Sequence, residues 1–198
     1  MKLVISSPLR RCLETTREIF KDHKNKPKVL VWPVVKEMLI SSCDMADDLD
    51  TIKKEYPDYD FSAIDALPHP ELWILYALKN ETIREELIQE LFAKYPTRNE
   101  TFHNAKYYIS EKLKNMFPTH IEFQVDLNAR TYDAKEALKD ISKDLNGDEA
   151  IVVVAHSRFL EAFTAERFEG ENGEPVNSKW FANCEVAAYS LEKNCIVE

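Results

Sequence analysis

Ile151-Val152-Val153-Val154-Ala155 is an unbroken apolar run, bounded before by the turn-forming Asn146-Gly147-Asp148 and after by His156. Four β-branched residues without polar alternation predict a strand buried on both faces, as in a parallel sheet covered by helices. Phe159, Leu160, Phe163 and Phe168 then recur at helical spacing, and Ser157 suits the N-cap of that helix. His156 therefore falls where a strand ends and a helix begins. In open α/β sheets that carboxyl edge is where ligands bind, and a helix N-terminus offers N–H groups and partial positive charge to an anion. The alternative is a histidine that merely ends a strand.

The same patterning organises the rest of the chain. Leu3-Val4-Ile5 reads as a first strand. Beyond Pro8 an amphipathic helix follows, with Leu9, Cys12, Leu13, Thr16, Ile19 and Phe20 on its apolar face. Val29-Leu30-Val31 is a second strand, closed by Trp32-Pro33, and a polar loop through Ser41, Ser42, Cys43 and Asp44 comes next. Residues 47–145 read mostly helical, with prolines at 57, 68, 70, 96 and 118 dividing them. Their last piece, Asp133 to Leu145, turns Ala137, Leu138, Ile141 and Leu145 to the core. After a loop over residues 168–179, Cys184 to Leu191 predicts a final strand with Val186, Ala188 and Ser190 on one face. This order predicts an α/β fold: one domain over residues 1–198, a three-layer α/β/α sandwich on a mostly parallel sheet, with 47–145 as a helical insertion over the site.

Length and charge narrow the function. With 198 residues the chain buries roughly 70% of the surface its unfolded form exposes, enough for one core. A net charge of −9 argues against nucleic acid or an anionic membrane as partner, but leaves room for a local basic pocket. No apolar run approaches the roughly 20 residues of a membrane span. Cys12, Cys43, Cys184 and Cys195 show no C-x-x-C spacing, so free thiols in a reducing cytoplasm are expected. No cluster has metal-ligand spacing, and neither a metal nor another cofactor is expected. Arg11 sits in the first turn of its helix, where a cation opposes the helix dipole. It is either a solvated surface arginine or an anion ligand.

Taken in order, three blocks resemble the histidine phosphatase superfamily, in its phosphoglycerate-mutase-like branch. They are Ser7-Pro8-Leu9-Arg10-Arg11-Cys12-Leu13-Glu14-Thr15-Thr16, Glu37 in Val35-Lys36-Glu37 ahead of Cys43-Asp44, and Val153-Val154-Ala155-His156-Ser157. Trp180-Phe181-Ala182-Asn183-Cys184-Glu185-Val186 before the last strand adds to the match. The resemblance implies phosphoryl transfer from a small phosphorylated molecule, with charge on the equatorial oxygens met by fixed cations and donors. It implies that Arg11 grips the phosphate, that His156 donates to a phosphoryl oxygen, and that Glu37 is the general acid protonating the leaving oxygen. Ser157 would contribute to phosphate binding. Arg10 and Arg158 fit the pattern and equally fit solvent-facing positions.

One part of the pattern is absent. The family nucleophile stands in an Arg-His-Gly motif on an earlier, central strand, but only six residues precede Ser7 and no Arg-His pair occurs in the chain. His23, His69, His103 and His120 lie outside any such motif. The expectation is a phosphomonoesterase impaired as written, lacking its N-terminal central strand through an incomplete sequence. The alternatives are a non-catalytic phosphate-binding pseudoenzyme or α/β interaction module, a strand donated by another chain with self-association through the exposed sheet edge, and, less favoured, a mutase.

Overall fold

The structure, a computed structural model, describes residues 2–40, 42–45, 47–78, 80–95, 107–112, 115, 122–147 and 149–197. Ser41, Pro96, His103, Pro118, His120 and Asp148, named above, lie outside this set. The fold is mixed α/β. Its centre is a parallel sheet in the order β2–β1–β3, formed by β1 (Leu3–Ser6), β2 (Lys28–Val31) and β3 (Ile151–Val154). The register aligns Ser6 with both Val31 and Val154, so all three strands release their chains at one edge. Two bonds continue the ladder past the strand ends: Ser7 N–H to the Val154 carbonyl at 3.0 Å and Trp32 N–H to the Ser6 carbonyl at 2.9 Å.

Both faces of β1 are covered, as an unalternating apolar strand requires. Val4 packs with Val29 and with Phe20 of α1 (Arg10–Phe20) on one face. On the other, Ile5 meets Leu127, Ala134 and Leu138 of α5 (Gln124–Ser142) and Phe159, Ala162 and Phe163 of α6 (Ser157–Thr164). Each such fully buried aliphatic side chain contributes roughly 1.5–3 kcal/mol. On α1 the buried stripe is Cys12, Leu13, Thr16 and Phe20, and Thr16 donates to Ser6 Oγ at 3.1 Å. Ile19, expected on that stripe, is exposed in the last turn.

The expected insertion contains α2 (Leu49–Glu55), α3 (Ser62–Asp65), a 3₁₀ segment (Pro70–Ala77), α4 (Glu81–Lys94) and a helical stretch over 107–112. Its Ile52, Ile64, Leu75, Ile88 and Leu91 share a core with Leu9, Leu13 and Val31. It also covers the outer edge of β2, where Val31 N–H donates to the Asp60 carbonyl and Asp60 N–H to the Val29 carbonyl, both at 2.8 Å. At the opposite edge of the sheet all four residues of β3 are only half-buried.

Several expectations change. Among the three described strands of the parallel sheet β1 is the middle one. Helix α5 starts nine residues ahead of Asp133, and Ala134 and Leu138 rather than Ala137 are its buried positions there. Helix α6 stops at Thr164, where Ala165 turns extended and the Thr164 hydroxyl bonds back to the Leu160 carbonyl. Phe168 is therefore not helical. It lies in β4 (Arg167–Glu169), which pairs with β5 (Glu174–Val176) across the expected loop. The final strand shortens to β6 (Ala188–Ser190), paired antiparallel with β7 (Cys195–Val197) apart from the parallel sheet. Val186 falls outside it and is 87% exposed, because the local turn at Asn194 supplies a nearer pairing partner than the sheet does.

Two glycines give a stability test. Gly173 closes the β4–β5 turn with φ +69°, and a Cβ there would lie 2.7 Å from Asn128 Nδ2, which donates to the Gly173 carbonyl. Gly147 has open space around it. Gly173→Ala should cost about 1–3 kcal/mol in urea unfolding, whereas Gly147→Ala should be neutral or slightly stabilising.

Candidate functional site

At the carboxyl edge of the sheet, three side chains named by the motifs come together. His156 follows β3 and is 6% exposed. Arg11, in the first turn of α1, donates through Nε to His156 Nδ1 at 3.0 Å. A guanidinium can only donate, so Nδ1 is an acceptor and a neutral ring keeps its proton on Nε2. That nitrogen lies 2.8 Å from Ser7 Oγ and 3.3 Å from Cys12 Sγ. Burial, then the positive charges of Arg11, Lys36 and Arg130, push His156 down to about 3. The imidazole is therefore neutral across the physiological range, a hydrogen-bond donor of fixed tautomer.

The rest of the Arg11 fork is held from the loop after Leu39. Its NH1 donates to the Cys43 carbonyl at 2.9 Å and its NH2 to Asp44 Oδ1 at 3.1 Å. The Arg11 side chain stays 45% exposed against 8% for Asp44, so the cation opens toward solvent while its anchor is buried. Arg11 is thus not a freely solvated surface arginine.

Glu37 reaches the same region from the other side. Its Oε1 accepts from Met38 N–H at 2.9 Å and Phe159 N–H at 3.2 Å, and Oε2 from Arg158 N–H at 3.5 Å. The carboxylate thus occupies the N-terminus of α6, where Ser157 was expected to be the cap. The capping position falls on His156, which makes no side-chain cap bond. Ser157 is already the first helical residue, and of the N–H groups expected to await an anion those of Arg158 and Phe159 are taken by Glu37. Burial raises the Glu37 carboxyl above its ordinary value, with Asp44 acting in the same direction, and the three N–H bonds oppose it.

Arg10 and Arg158 point elsewhere. Arg10 pairs with Asp47 at 3.1 Å and with Glu55. Arg158 pairs with Glu161 at 3.3 Å and lies over the Trp180 ring, 5.2 Å from its centroid. Four residues of this region carried little sequence signal. Ser7, fully buried, accepts from Leu9 N–H at 3.3 Å as well as facing Nε2. Cys12 is 4% exposed. Lys36 and Arg130 support the Glu37 segment from behind. Ser7 and Cys12 stand inside the first motif, and only their contact with a distant histidine singles them out.

Neither Ser7 nor Cys12 is arranged as a nucleophile. With the ring proton on Nε2, His156 donates to Ser7 and cannot take its proton. Burial pushes the Cys12 thiol up to about 12, far from the thiolate that attack requires. Among the described residues no three His, Cys, Asp or Glu side chains are placed to hold a metal ion, and no helix is long and apolar enough to cross a membrane. A cleft of about 430 Å³, lined by Thr164, Glu166, Lys179, Lys193 and Cys195 among others, shares no residue with the His156 cluster. Compared with protein-family models, curated proteins and solved structures, the chain matches none.

The neutral imidazole has a consequence for stability. An unfolded chain protonates His156 near pH 6.5, while the native ring holds off protonation until about pH 3. As pH falls from 6.5 the unfolded state gains a proton that the native state refuses, so stability is lost. Between pH 7.5 and 5 the parent should lose about 2 kcal/mol more than His156→Gln in urea unfolding. Equal losses would show that the ring is not held neutral.

Proposed function

We propose that the chain binds the phosphoryl group of a small phosphomonoester at the edge carrying Arg11, Glu37 and His156, in the manner of the histidine phosphatase superfamily its motifs resemble. The observation that carries this reading is the Arg11 Nε to His156 Nδ1 bond. It couples a half-exposed guanidinium to a neutral imidazole that can only donate through Nε2. A cation and a fixed neutral donor side by side suit the oxygens of a phosphate, which accept and carry negative charge. The phosphate would compete with Ser7 Oγ for the Nε2 proton. Glu37, with its raised carboxyl, is the group suited to protonate a leaving oxygen. The same reading takes the sheet as the middle layer of a three-layer α/β/α sandwich.

Binding without turnover is the form of this function that the residues favour. No Arg-His pair occurs in the sequence, the Cys12 thiol stays protonated and Ser7 accepts rather than gives a proton. A phosphoenzyme route has no nucleophile among these groups. Measured against the superfamily's phosphomonoesterases the site is impaired, because hydrolysis by that route depends on a nucleophile that these groups do not supply.

Thermal unfolding tests the reading. Inorganic phosphate at about ten times its dissociation constant should stabilise the parent by about 1.4 kcal/mol, a rise in Tm of about 3–6 °C. Arg11→Ala should abolish the rise. No shift in the parent, or an equal shift in Arg11→Ala, would overturn the proposal.

A further inference from the structure

Behind Glu37 lies a second group of charges, fully internal and distinct from the residues that would touch a ligand. The side chains of Lys36, Glu122 and Arg130 are 2%, 1% and 8% exposed. Lys36 Nζ lies 2.7 Å from Glu122 Oε2, and Arg130 Nε 2.9 Å from Glu122 Oε1. Leu39 N–H also donates to Glu122 Oε2, at 2.8 Å. The cations reach onward to the main chain. Arg130 NH1 donates to the carbonyls of Val34 and Lys36 at 2.7 and 2.8 Å, and its NH2 to that of Glu37 at 3.4 Å. Lys36 Nζ donates to the Glu37 carbonyl at 2.9 Å.

Stability alone does not account for this triad. Burying three charges costs several kcal/mol per ion, and well-packed apolar residues often hold such a site as firmly or better. What apolar residues would not supply is partners for the Leu39 N–H and the carbonyls of Val34, Lys36 and Glu37, and charge. Two cations face one carboxylate, leaving one positive charge in excess within hydrogen-bond distance of the Glu37 main chain. Lys36 and Arg130 both act on His156, and Glu37 acts on Lys36. When Glu37 is ionised it balances that excess. When Glu37 holds its proton, the excess faces whatever anion lies beside Arg11.

We propose that Lys36, Glu122 and Arg130 are a buried electrostatic support whose single excess positive charge raises the affinity of the Arg11–His156 edge for a divalent oxyanion. This rests on the phosphate-binding reading above. The three are positioning residues: they hold the Glu37 segment by its carbonyls and act on the anion through their field.

Sulfate is the probe, because it stays dianionic where phosphate would itself titrate. Its affinity is measured on the full chain by calorimetric titration at about pH 6. Lys36→Met removes the excess charge and should weaken sulfate about tenfold or more, because a dianion feels twice the Coulomb energy that a single charge would. Lys36→Met combined with Glu122→Gln restores the excess through Arg130 and should return affinity to within about threefold of the parent. A triad with only a structural role predicts the reverse order, with the double variant the weaker. Should Lys36→Met not fold, Lys36→Gln keeps a donor in place and reads the same loss of charge. Lys139→Met, on the outer face of α5, controls for net charge and should leave sulfate binding unchanged. Sulfate binding by the parent with single-variant affinity within about twofold of it, or a double variant no better than the single, overturns the support role. Absence of sulfate binding by the parent overturns the phosphate reading beneath it.

Discussion

The bond from the Arg11 guanidinium to His156 Nδ1 constrains everything around it. Because the guanidinium has only hydrogens to offer, the imidazole must present a lone pair at Nδ1, and its proton is confined to Nε2. A buried ring flanked by positive charge cannot also take up a second proton at ordinary pH. The histidine becomes a neutral donor of fixed direction, and Ser7, at 2.8 Å, becomes its acceptor. The same contact ties α1 to the turn after β3, which meet only because β1 and β3 run parallel and in register.

Burial governs reactivity at this edge. Cys12 is close to His156, the juxtaposition that activates a thiol when the imidazole is charged or free to accept. Here the ring is neutral and its nearer nitrogen carries the proton, so the thiol stays protonated. Glu37 is moved in the opposite functional direction: partly removed from water and facing Asp44, its carboxyl holds a proton more readily than an exposed glutamate would. One environment thus quiets a nucleophile and prepares an acid. The chain's net charge of −9 does not describe this neighbourhood. Arg11, Lys36 and Arg130 gather where Glu37, Asp44 and Glu122 are their close counterparts, so the local field is set by pairing geometry.

Much of the frame was legible. The β-branched run at Ile151–Val154 and the short runs at Leu3 and Val29 form strands because apolar, β-branched residues suit a parallel sheet packed on both faces, although β3 at the edge stays half-buried. The stripe on α1 was readable because helical spacing puts Cys12, Leu13, Thr16 and Phe20 on one face. Legibility failed where local chemistry admits two answers. Ser157 is a good cap by type, yet the helix starts one residue earlier than that role needs. The segment after Cys184 has strand composition, yet it pairs with its own nearest neighbour in sequence.

The sequence by itself determined where the strands of the parallel sheet and the first helix fall, and which residue types follow the strands: Arg11, Glu37 and His156. Side-chain periodicity and steric preference act over a few residues, so a linear reading can follow them. Only the tertiary structure decided what those groups do to one another. Glu122 and Arg130 are 86 and 94 positions from Lys36, and a proton's location on His156 or Glu37 depends on burial and on charges brought in by distant elements. Those electrostatic terms arise only when water is excluded from between partners that the folded chain has placed together.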